Sequence, residues 1–112
     1  EILSGSTRMK AGTATKMILN IISTTTMIKL NKVYKNYMID LKVSNKKLSN
    51  RALYMISEIT GLNKIESQKL VKESKGNVKN GILMYFKNIT YIQSCKILEK
   101  NKGSLKKSLS YD

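Results

Sequence analysis

A mainly α-helical chain is predicted, on three observations. Proline is absent from all 112 residues, so only glycines and caps punctuate the helices. Apolar residues recur at three- and four-residue spacing in successive stretches. The polar residues between those stretches fall at cap positions, with Asn63–Glu66 and Thr90–Gln93 at capping-box spacing.

The elements follow in order. After an irregular opening over residues 1–8, a helix is expected over 8–30, with Ser6 or Thr7 as N-cap. Ala14, Met17, Ile18, Ile21, Ile22, Thr25 and Ile28 form its stripe. Ile39, Leu41 and Val43 then alternate with Asp40 and Lys42, the pattern of a short strand and at most one in the chain. Asp40 should face solvent or a loop amide. A helix over 46–60 carries Leu48, Ala52, Met55, Ile56 and Ile59, closed by Gly61. One over 63–75 turns Leu70 and Val71 inward and stops at Gly76. One over 77–87 has Asn77 as cap and Val78, Ile82, Tyr85 and Phe86 inward. One over 90–102 carries Tyr91, Cys95 and Leu98 and ends at Gly103. Leu105 and Leu109 fit a short last turn before the tail. Helices of this length are marginal alone and must pack together. The first helix reads as part of another, larger domain, with a boundary at about residues 43–47, where Ser44, Asn45, Lys46 and Lys47 are polar.

Composition excludes several chemistries. Histidine is absent and Cys95 is the single cysteine. A Cys/His zinc site, a histidine general base, a Ser–His triad and an internal disulfide therefore cannot be assembled from this sequence. Cys95 reads as an inert core thiol. The most apolar run, Met17 to Ile28, is broken by Asn20, Ser23 and three threonines, short of the roughly 18 residues a span needs. No membrane partner and a cytoplasmic location are expected, with no signal-like segment visible.

A net charge of +14 raises a nucleic-acid partner. Arg8 and Arg51 are the only arginines, however, and the lysines are scattered over every segment. Base reading favours the planar arginine fork, so compositional bias is the preferred reading and no specific nucleic acid is expected. Tyr34, Tyr37, Tyr54, Tyr85 and Tyr91 are assigned to core packing rather than base stacking.

The opening, Glu1 through Lys16, carries the most information. Gly5 permits close backbone approach, Ser4, Ser6 and Thr7 supply hydroxyls, and the free N–H groups of the following helix favour an anion. Arg8 and Lys10 add positive charge. Ala11, Gly12, Thr13 and Ala14 are small enough for another element to lie close. From physics alone, a capped helix start with solvated bases is the plainer account.

This opening resembles the signature of the family of glucokinase regulatory protein and the N-acetylmuramic acid 6-phosphate etherases: Glu1, an aliphatic residue, Ser4-Gly5-Ser6-Thr7-Arg8, an aliphatic residue, Lys10, three small residues, and Lys16. The likeness continues through Lys32-Val33-Tyr34, Asn36, Met38 to Lys42, Ser44-Asn45, Thr60-Gly61-Leu62 and Gly76 to Lys79, and weakens after about Lys87. It implies that residues 1–45 are the C-terminal end of a sugar-isomerase-type α/β domain (a long helix plus a short extended segment). Residues 46–88 would form a ubiquitin-associated-like three-helix bundle, and 89–112 a C-terminal helix and tail.

The function implied is the C-terminal part of an etherase that cleaves the D-lactyl ether of N-acetylmuramic acid 6-phosphate, giving N-acetylglucosamine 6-phosphate and D-lactate in cell-wall sugar recycling. No metal or organic cofactor is implied. The catalytic glutamates would lie upstream, so no catalytic residue is assigned here, and the chain, which starts without methionine, is read as an inactive fragment. Glu1, Ser4, Ser6, Arg8 and Lys10 are the candidate substrate-binding residues. Ser4, Ser6 and Thr7 fit a donor role and a capping role equally. Lys10 is assigned to an anion, while Arg8 fits either a phosphate or an acid across a subunit contact. A homodimer is expected through the Met17/Ile21/Ile28 face. The alternatives are a sugar-phosphate-sensing regulatory domain and a basic helical nucleic-acid-binding module.

Overall fold

The structure, a computed structural model, describes residues 7–110, the side chain of Thr7 excepted. It is mainly helical, with α1 (Thr7–Lys29), β1 (Val33–Tyr34), β2 (Tyr37–Met38), α2 (Lys46–Thr60), α3 (Lys64–Glu73), α4 (Val78–Lys87), α5 (Tyr91–Lys100) and α6 (Leu105–Ser110). The chain divides after Leu30 into two units, Glu1–Leu30 and Asn31–Asp112.

In the first unit α1 runs 23 residues. Most of its apolar side chains are exposed, Ile21 at 62% and Met17 at 59%, with Met27 half-buried. The sequence stripe covers only part of its circumference. Leu19 and Met9, both exposed, lie about 200° and 280° round from Met17 at 100° per residue. A helix apolar on most sides is the kind that larger domains bury.

The second unit closes its own core. Ile39, Ala52, Met55, Ile56, Leu70, Val78, Ile82, Leu83, Leu98 and Leu105 are buried together. Helix α4 is central and touches α2, α3, α5 and α6. Gly81 faces Ser74, whose hydroxyl would stand 3.2 Å from an added Cβ. Small residues on both helices thus let α3 and α4 approach closely.

Caps define the helix starts. Asn45 accepts from the Leu48 amide at 2.9 Å. Asn63–Glu66 and Thr90–Gln93 form complete capping boxes. Gly61 ends α2 in the left-handed region. Helices α3 and α5 end alike: Lys75-Gly76 and Lys102-Gly103 both take positive φ. The glycine amides donate to Val71 and Leu98, the reach-back bond of a Schellman motif. Each joint is followed at once by a buried apolar residue, Val78 or Leu105.

Three expectations need correction. The strand expected at Ile39–Val43 is instead a hairpin just before it, Val33–Tyr34 against Tyr37–Met38, followed by a single bridge between Lys42 and Asn77. Ile39 is fully buried, so the alternation marks an anchoring segment rather than a strand. Tyr85 and Phe86, expected inward, are exposed and meet edge to face at 5.2 Å. Around α4 the buried set is Val78, Gly81, Ile82 and Leu83, because a helix with four neighbours is covered on several sides early and left open in its last turn. Tyr54 is likewise exposed, while Tyr34 and Tyr37 pack against the core. Finally, Asn77 precedes α4 without a side-chain cap bond; its amide donates to the Tyr91 hydroxyl at 3.1 Å.

Candidate functional site

Glu1, Ser4 and Ser6 lie outside the described residues, as does the side chain of Thr7. Arg8 and Lys10 stand in the first turn of α1, both exposed. Two residues apart on a helix is about 200°, so their Cβ atoms leave opposite sides of the axis. That first turn contains no acidic residue, so the dipole end and both cations act in the same direction on an anion.

The small-residue run behaves as its composition suggests. An added Cβ on Gly12 meets nothing within 4 Å. The Thr13 and Thr15 hydroxyls donate to the Met9 and Ala11 carbonyls at 3.0 and 2.9 Å. Those hydroxyls are therefore engaged within the helix.

Three of the carboxylates are committed elsewhere. Glu66 completes the α3 capping box. Glu73 approaches Lys69 at 4.0 Å along one helix face. Asp40, expected to face solvent or a loop amide, is paired with the Lys32 ammonium at 2.7 Å. That hydrogen bond is the main reason its carboxyl titrates below the usual range, against an opposing effect of partial burial.

Sequence reasoning missed the most constrained polar group of the second unit. The side chain of Lys79 is only 13% exposed. Its ammonium donates to the Asn31 carbonyl at 3.0 Å and the Gly103 carbonyl at 2.8 Å, and lies 3.9 Å from Asp40. Burial lowers its pKa, partly offset by Asp40. The Asn31 amide donates in turn to the Lys102 carbonyl at 3.2 Å. No local signal could have shown this, because the partners lie 24 and 48 positions away.

A second cluster joins α4 to α5. Asn80 donates to Ser94 Oγ at 3.0 Å and to Cys95 Sγ at 3.3 Å. Cys95 is half-buried rather than a fully buried core thiol. Two open cavities lie on the surface of the described residues. One of about 270 Å³ lies between α2 and α3 beside Leu53, Tyr54 and Lys64. One of about 230 Å³ is bordered by Lys100, Asn101, Lys102 and Lys107.

Comparison with known proteins places this arrangement. Residues 35–81, from the hairpin turn to Gly81, match the family described as the C-terminal lid domain of glucokinase regulatory protein. The chain is 48% identical over 109 residues to an N-acetylmuramic acid 6-phosphate etherase of Picosynechococcus sp., covering 97% of this chain and 36% of that protein. It is 50% identical over 109 residues to the etherase of Prochlorococcus marinus, covering 97% of this chain and 35% of that protein. The etherase of Mycoplasma mycoides is 49% identical over the same share of the chain and 36% of its own length. Over nearly its whole length the chain is thus similar to the C-terminal part of proteins named N-acetylmuramic acid 6-phosphate etherase. It spans about a third of the length of the curated relatives it matches. The lid match covers the hairpin turn, β2, α2, α3 and the start of α4. The relatives extend the likeness over α1 and α5 as well. No helix among the described residues is long and apolar enough to cross a membrane.

Proposed function

We propose that this chain is the C-terminal, lid-bearing part of an N-acetylmuramic acid 6-phosphate etherase, a carbon–oxygen lyase of the cytoplasm acting in cell-wall sugar recycling. The observation that carries the reading is identity of 48% to an etherase along 97% of the chain. In that enzyme α1 is the last helix of a sugar-isomerase-type α/β domain, whose other elements and a dimer partner cover its apolar circumference. The bundle after it has the ubiquitin-associated-like arrangement. Glu1, Ser4, Ser6, Arg8 and Lys10 contact the sugar phosphate, with Lys10 and the α1 N-terminus facing an anion.

The acid and base of ether cleavage come from outside this chain. Asp40, Glu66 and Glu73 are already paired or capping, and no histidine exists to replace them. Lactate release from N-acetylmuramic acid 6-phosphate tests this directly. The chain alone should show none, and a protein of the relatives' full length ending in this sequence should turn over. In that longer protein Glu1→Gln should impair turnover or binding with the fold intact. Lys10→Met should mainly raise KM. Turnover by the chain alone, or unchanged kinetics in both variants, refutes the assignment.

The match to a regulatory protein's lid favours a second reading, in which the parent senses a sugar phosphate and holds a partner. Saturable sugar-phosphate binding without any lactate release by the full-length protein would select it.

A further inference from the structure

Three segments of the second unit that are remote in sequence meet at one ammonium group. The first is the arm from Asn31 to Val43, which holds the hairpin. The second is the start of α4, and the third is the joint between α5 and α6. The arm is attached at its middle by Ile39, fully buried. Its far end is held by Val43 donating to the Gly76 carbonyl at 3.0 Å and by Val78 donating to the Leu41 carbonyl at 3.3 Å. At its near end the attachment is polar: Asn31, in the left-handed region at φ 60°, accepts from Lys79 and donates to Lys102.

We propose that Lys79 is a registry pin, which selects the position of the Asn31–Val43 arm on the bundle while adding little to the stability of the bundle itself. The argument is one of competing terms. A largely buried ammonium loses hydration, and such a group rarely repays that loss in net stability. What it does is make alternatives costly. Any arrangement that moves the Asn31 or Gly103 carbonyl away leaves a buried cation with fewer partners. Both acceptors sit on left-handed residues outside the helices. One side chain thus joins carbonyls of two segments remote in sequence.

A consequence concerns the extent of the lid. The family match runs over residues 35–81. Through Lys79 the matched segment is tied both to Asn31, which precedes it, and to Gly103, which follows it. The pin therefore makes the rigid body longer than the match, from Asn31 to α6. This rests on contacts within the second unit and not on the proposed etherase activity.

The experiment is hydrogen exchange and thermal melting on the full 112-residue chain with Lys79→Met, Lys79→Arg and Asp40→Asn. Lys79→Met should keep Tm within about 5 °C of the parent. It should also raise exchange of the Lys32–Leu41 amides roughly ten-fold while α2 and α4 amides stay protected. Lys79→Arg keeps donors for both carbonyls and should restore most of the arm's protection. Asp40→Asn leaves the carbonyl contacts in place and should leave the arm protected. The proposal is overturned if arm exchange is unchanged in Lys79→Met, or if arm and bundle loosen together with a large fall in Tm. It is also overturned if Asp40→Asn opens the arm as fully as Lys79→Met, since the ion pair and not the carbonyls would then hold it.

Discussion

Helix α1 and the bundle after it draw on the same residues, and differ in what their apolar side chains touch. Ile21 of α1 is 62% exposed, whereas Ile56 of α2 is fully buried. Both positions look alike in sequence, an isoleucine on a helical stripe. Periodicity says that a helix has an apolar side; it does not say whether the covering surface belongs to the same stretch of chain. The bundle finds its cover internally, in α4 and its four neighbours. The exposed set on α1, including Leu19 away from the stripe, is left uncovered within its own unit.

The largest test of this contrast is a pair of truncations. Ile56→Ala should cost about 2–5 kcal/mol, as for other large-to-small changes in packed cores. Ile21→Ala should stay within about 0.5 kcal/mol in this chain, as at surface sites generally. Chemical denaturation of the two variants measures both. Equal losses would mean that α1 is packed in solution, and sedimentation would then show whether self-association through Met17, Ile21 and Ile28 supplies the packing.

A glycine pair sharpens the comparison by reversing sign. Gly76 takes φ +79°, and an added Cβ would lie 3.2 Å from Val43 Cβ. Gly76→Ala should therefore destabilise the bundle by about 1–3 kcal/mol. Gly12 lies inside α1 with open space around it. Gly12→Ala should raise helix content, worth about 0.5–1 kcal/mol. Circular dichroism and melting read the two effects. A loss of helicity in Gly12→Ala would show that something already lies close against that turn.

The same division governs what could be read from sequence. Helix positions followed from periodicity and caps, because those signals lie within a few residues. The Asn63–Glu66 and Thr90–Gln93 boxes and the αL glycine at position 61 are local events. Tyr85 and Phe86 were misread because stripe analysis assumes one covered face, while α4 is surrounded over its first turns. The exposure of Asp40 was legible, but its partners, Lys32 and Lys79, were not, because they are chosen by the hairpin and by packing across the unit. For the candidate site, the signature placed Arg8 and Lys10 at a helix start, and α1 begins there. Nothing local could say which side of α1 faces a ligand.

A smaller effect is expected from the caps. Thr90→Ala removes the acceptor of the Gln93 amide, 3.3 Å away, and should cost about 1 kcal/mol. The loss should appear as fraying of α5, read by exchange at Ile92 to Ser94, with α1 unaffected. A loss near zero would show that packing of Leu98 and Ser94 holds α5 without its box.

The smallest expected effect is electrostatic, and it too separates the units. Asp40 titrates below the usual carboxylate range, first through the hydrogen bond from Lys32. Its contribution is therefore present above the unfolded carboxylate pKa of about 3.9 and is lost as pH falls through the lower folded value. Lys79 is shifted in the same direction at the other end of the scale. Burial lowers its folded pKa below the ordinary lysine value of 10.5. In the interval between the two, the unfolded chain binds more protons, so stability rises with pH there. Helix α1 contains no carboxylate and should ignore the acid limb. Acid titration followed by amide signals should accordingly perturb the Lys32–Leu41 arm while α1 signals stay in place. Asp40 is 43% exposed, so water and salt screen the pair and the change should be small. Asp40→Asn should abolish the arm's acid response. If the response persists in that variant, another carboxylate carries it, and the Lys32–Asp40 pair is only a surface contact.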